Sequence, residues 1–155
     1  MINIPNISGF KLSNYFSKEF IEKTDFNYSS VDGIAEIVGL HVIFFSDIKN
    51  LNETSVISLD EIQSNKKVET FANQLFFELS LGVEVKDKFE KIISIYGTPF
   101  SFDEIFENVK RYNYLLNNND CFIAFGVDKY HGLNSIEIIQ NKKILHGILN
   151  ENWRG

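Results

Sequence analysis

The stretch from Gly82 to Pro99, GVEVKDKFEKIISIYGTP, constrains the fold more than any other part of the chain. Its spacing predicts a helix over Glu84 to Tyr96. Val85, Phe89, Ile92, Ile93 and Tyr96 fall on one apolar stripe. Glu84 and Asp87 lie in the expected first turn, where the helix dipole favours negative charge. Gly97 is able to take a left-handed cap, and Pro99 prevents continuation. Strand-like runs follow almost at once. They are Val109 to Leu116, with Tyr112 and Tyr114 on one face, then Cys121 to Val127, apolar enough for burial on both faces. Leu133 to Gln140 comes next, and Ile144 to Leu149 is expected as a last strand after a tight turn at Asn141–Lys143. The connections are short, so neighbouring strands should be antiparallel. Asn117 to Asp120 has the composition of a hairpin tip.

The N-terminal half is less regular. Leu12, Phe16 and Phe20 predict a helix over Leu12 to Lys23. After punctuation at Asp32-Gly33, Ile34 to Phe45, a polar loop over Asp47 to Glu53 and Ser55 to Leu59 read as strand, loop, strand. Residues 68–81 fit two periods. Val68, Phe71, Leu75 and Leu79 suit a helix, while Leu75, Phe77, Leu79 and Leu81 alternate, and a strand from Gln74 to Leu81 is preferred. In the connector Phe100 to Asn108, Ser101 followed by Glu104 suits a capping box and a strand about equally. The 155 residues contain no linker or repeat. The expectation is one α+β domain over residues 1–155, an antiparallel sheet with helices packed on one face.

Chemistry-bearing motifs are sparse. No GxGxxG, GxxxxGK or HExxH occurs, and no cofactor or metal is expected. A single cysteine, Cys121, rules out an internal disulfide and the zinc patterns that need two cysteines. His41 lies in an apolar run and reads as a core residue; His131 and His146 are the candidates for a small hydrolase or nuclease if an acid joins them. Cys121 with a histidine would be a nucleophilic pair, but it opens an apolar strand, where cysteine acts as a small buried residue. The net charge of −6 disfavours nucleic acid and anionic membranes. The opening MINIPNISGFKLSN has no basic region followed by an apolar run, and no stretch suffices to span a bilayer, so a cytoplasmic protein is expected. Acids interleaved with aromatics at Asp103, Glu104 and Glu107, and again at Asp128 with Tyr130, suggest a contact surface for a basic protein.

Two resemblances accompany these residues. The helix ending in YGTP, followed by RYNYLL, CFIAFGVD and LNSIEII, resembles a module of one helix and antiparallel strands. Outer-membrane assembly lipoproteins of the SmpA type and β-lactamase inhibitory proteins share that module. As a type, an acidic single-domain α+β chain without catalytic motifs resembles bacterial immunity proteins, including those of contact-dependent growth inhibition and other polymorphic toxin systems. That resemblance implies a non-enzymatic protein that binds and neutralises a basic, nuclease-type toxin. A small-ligand or lipid-binding protein with a Phe-lined cavity is the other non-catalytic alternative.

Overall fold

A computed structural model of the chain describes residues 2–7, 26–29, 34–37, 42–47, 50–63 and 66–150. The described strands are β1 (Phe26–Ser29), β2 (Ile34–Ile37), β3 (Val42–Asp47), β4 (Asn50–Leu59), β5 (Ser101–Phe106), β6 (Val109–Leu116), β7 (Cys121–Asp128) and β8 (Gly132–Ile139). They form one open antiparallel sheet in the order β1-β2-β3-β4-β8-β7-β6-β5. Its body is β4, β8, β7, β6 and β5. Three helices accompany it among the described residues: α1 (Lys66–Glu78), α2 (Phe89–Tyr96) and α3 (Lys142–Asn150). The α+β class and the antiparallel sheet are as the sequence suggested. The expected helix over Leu12 to Lys23, the Asp32-Gly33 break and His41 lie outside the described residues.

Pleating sends alternate residues to opposite faces. Ile57 and Leu59 of β4, Ile123 and Phe125 of β7, and Ile136 and Ile138 of β8 enter the main core beneath α1 and α2. Val56, Phe122, Ala124 and Ile139 point the other way and meet Leu145 and Ile148 of α3. The expectation of helices on one face therefore holds for α1 and α2, and α3 covers the opposite face. β7 is buried along Cys121 to Val127, as its unbroken apolar run required.

Five segments depart from the sequence reading, the first being the expected loop over Asp47 to Glu53, of which Asn50 onward is already β4. Residues 74–81 are not a strand; α1 runs to Glu78. Val68, Phe71, Ala72, Leu75, Phe76 and Leu79 are buried at helical spacing, whereas Phe77, which made the alternation persuasive, is 84% exposed. Ile144 to Leu149 belongs to α3, and the supposed turn at Asn141 is its N-cap: the Asn141 side-chain oxygen accepts the Ile144 N–H at 3.0 Å. The run Ile34 to Phe45 holds two strands rather than one, with Ile34 opposite Phe45 and Ile37 opposite Val42. The helix in the opening motif starts at Phe89, not Glu84. Lys86 has φ 78 and Lys88 is extended, so Glu84 to Lys88 is a loop, and Asp87 accepts the Glu84 N–H at 2.7 Å.

Aromatic packing fixes α2 on the sheet. Phe89 stacks on Tyr112 with centroids 3.9 Å apart, and Tyr96 packs against Tyr114 and Phe125. The Tyr96 hydroxyl donates to the Leu81 carbonyl and the Tyr114 hydroxyl to that of Gly97. Both rings thus bury apolar area and satisfy their polar ends. Gly97 closes the helix with φ 76, its N–H donating to Ile93 at 2.9 Å.

Candidate functional site

Two hairpin tips meet at one end of the sheet. The β5–β6 tip is Glu107-Asn108, between Phe106 and its partner Val109. The β7–β8 tip is Lys129 to His131, between Asp128 and Gly132. Because Val109 pairs with Asp128, the tips are adjacent, and the Lys129 N–H donates to the Asn108 carbonyl at 2.7 Å.

The second tip is fastened from several sides. The Asp128 carboxylate accepts the N–H groups of Tyr130 at 2.8 Å and His131 at 2.9 Å. These two backbone bonds, that of His131 foremost, hold its carboxyl below the usual carboxylate range. Gln63 donates to the carbonyls of His131 and Leu133, and Lys88 donates to the carbonyl of Tyr130. Beneath it, Lys86 N–H bonds to Leu133 O and Leu133 N–H to Asp87 O, so the loop before α2 is laced to the start of β8. Gly132 is required there: with φ 79, its place for a Cβ lies 2.0 Å from the Lys86 carbonyl oxygen.

On this braced end sit large exposed rings. Tyr130 is 62% and Phe106 72% exposed, with Phe102 and Ile105 also open to solvent on β5. Lys129 lies over the Tyr130 ring and Lys110 over that of Phe102, at 5.6 and 5.5 Å. The five residues expected to form a contact surface divide by role. Glu104, Glu107 and Tyr130 are exposed. Asp103 is engaged by Arg111 at 3.1 Å and by Asn113 at 3.2 Å, and Asp128 is engaged by its own turn. Lys110 stands opposite Glu104, so this end is mixed in charge, not uniformly acidic.

The catalytic alternatives find no constellation among the described residues. His131 precedes β8 and His146 lies on α3, beyond the other end of that strand. The His146 ring contacts Asn150. No group of three metal-ligating side chains occurs among the described residues. Cys121 is buried; burial pushes its thiol up to about 11, and the Gln140 amide opposite its sulfur only partly offsets this. An open depression of about 570 Å³ is lined by Asn3, Ile4, Pro5, Ser80, Asn117 and Asn118. No phenylalanine lines it, unlike the Phe-lined cavity that the lipid-binding alternative requires.

The sequence reading missed a polar row on the sheet face opposite α1 and α2. Arg111 pairs with Asp103 on one side and Gly126 on the other; Asn113 and Glu137 flank Ala124. Asn113 is fully buried and bonds Ser101 and Asp103 through its amide nitrogen. Burial raises the Glu137 carboxyl, and Arg111 pulls it partly back. The signal was present in RYNY: once Tyr112 and Tyr114 face the core, Arg111 and Asn113 must share the other side.

No family model, curated protein or solved structure matches the chain significantly.

Proposed function

We propose that the chain is a protein-binding module of the immunity type. It engages a basic bacterial toxin domain in the cytoplasm through the joined hairpin tips and neutralises it by covering its working surface. The observation that carries this reading is the exposure of both Tyr130 and Phe106 at adjacent hairpin ends that the Lys129–Asn108 backbone bond ties together. Aromatic anchors supply most of the affinity at protein interfaces, and one already held in place loses little freedom on binding. Glu104 and Glu107 add exposed negative charge beside them, and the net charge of −6 steers a basic partner inward.

Co-expression with the toxin encoded beside its gene tests the reading. The native chain should protect the host cell, and Tyr130→Ala combined with Phe106→Ser should abolish protection while leaving the unfolding midpoint nearly unchanged. Protection that survives the double substitution would move the contact surface elsewhere. Failure of the native chain to protect, or to bind the toxin domain, would end the immunity reading.

A further inference from the structure

We propose that β5 is a strand acceptor: its outer edge takes up an extended, lysine- or arginine-bearing segment of the partner as an additional antiparallel strand. This deepens the binding reading above and rests on it. Among the described residues β5 pairs only with β6 and ends the sheet. The outward N–H and C=O groups of an edge strand are a template for another strand. Natural edges are usually blunted by proline, lysine or a covering loop. Here no proline or lysine lies within Ser101–Phe106, and Phe102, Glu104, Ile105 and Phe106 are all exposed. The charges of Asp103 and Glu104 blunt the edge in part, and so does a register shift between Glu104 and Phe106. The shift confines the regular ladder to Ser101–Glu104 and turns the remainder of the edge toward the tips.

Charge selects the occupant. Phe102 and Glu104 share the face of their partners Tyr112 and Lys110, while Asp103 points to the opposite side, where Arg111 holds it. A second copy of the chain is disfavoured: two-fold registers centred on Asp103 or Glu104 set an acid directly against its own copy. An incoming strand with a cation opposite Glu104 and an apolar residue opposite Phe102 meets both sides correctly.

A capped ten-residue peptide with threonine at every other position, and lysine and valine taking turns at the positions between, is the probe, so that one face offers lysine to Glu104 and valine to Phe102. Hydrogen exchange should show new protection in the amides of Phe102 to Glu104. N-methylation of alternate peptide nitrogens should weaken binding at least tenfold, because it removes ladder donors and leaves the side chains. Glu104→Lys should weaken it at least fivefold and reverse the preference toward the same peptide with glutamate in place of lysine. Equal binding by the methylated peptide, or protection confined to other strands, would overturn the proposal. The two readings fail separately. A bound toxin that leaves β5 exchange unchanged would overturn strand addition and spare the immunity role. A peptide seated on β5 with a toxin that does not bind would support strand addition and overturn the immunity role.

Discussion

The side chain of Asn117 grips the backbone of Ile4 from both sides, accepting its N–H at 3.0 Å and donating to its carbonyl at 2.7 Å. Gln140 does similar work just beyond, donating to the Pro5 carbonyl and accepting the Ile7 N–H. Two amide side chains thereby replace a strand partner for the N-terminal segment, whose Ile4 and Ile7 enter the core. Asn117 also has φ 54, which asparagine tolerates better than most residues. Asn117→Gly keeps that backbone freedom and deletes both bonds, and should lower stability by about 1–3 kcal/mol in urea titration. Asn117→Ala adds backbone strain and should cost more; equal cost would mean that the bonds dominate.

Two glycines should respond oppositely to alanine. Gly132→Ala drives a Cβ into the Lys86 backbone at a positive φ and should cost more than about 3 kcal/mol or prevent the tip from closing. Gly147 lies inside α3 with open space around it, so Gly147→Ala should raise stability by roughly 0.5–1 kcal/mol. Thermal unfolding of the two variants against the native chain checks both signs.

Cys121 should be silent to alkylation. A buried thiol raised to about 11 is scarcely ionised at neutral pH, and the thiolate is the reactive form. Iodoacetamide labelling followed by mass spectrometry should show modification only at the rate at which the molecule opens. Rapid labelling in native buffer would contradict the buried placement.

Glu137 should make stability depend on pH. Its folded carboxyl is raised above the ordinary value of 4.5, so folding favours the protonated form. That contribution is fully present below about 4.5 and is lost as pH rises through the folded value. Measured by urea unfolding, Glu137→Gln should gain on the native chain as pH is taken from 4 to 7. A gap that narrows instead would show that attraction to Arg111 outweighs desolvation.

Periodicity located the C-terminal strands well because their surroundings are uniform. β6 spans Val109–Leu116 as read, and the connector left open between helix and strand is β5. It failed where a single exposed apolar residue imitated alternation, as Phe77 did in α1, and where a helical glycine diluted the pattern, as Gly147 did in α3. At the candidate site, composition pointed to the acids and Tyr130. It carried no information on which acids were already engaged, because Asp103 meets Arg111 only through strand register. Nor does a local motif reveal that Asn108 and Lys129 touch.

The seam between β4 and β8 has a kinetic consequence. Val56 and Ile139 pair across it although they stand roughly 80 residues apart in the chain, whereas β5 to β8 join through short hairpins. Closing the long loop costs entropy that the local hairpins avoid. The strands that bear Phe106 and Tyr130 can therefore assemble as a nucleus, and β4 docks onto β8 afterwards. On refolding of the whole chain, the end that bears Phe106 and Tyr130 would then be among the first parts to take shape, and the β4–β8 seam among the last to be secured.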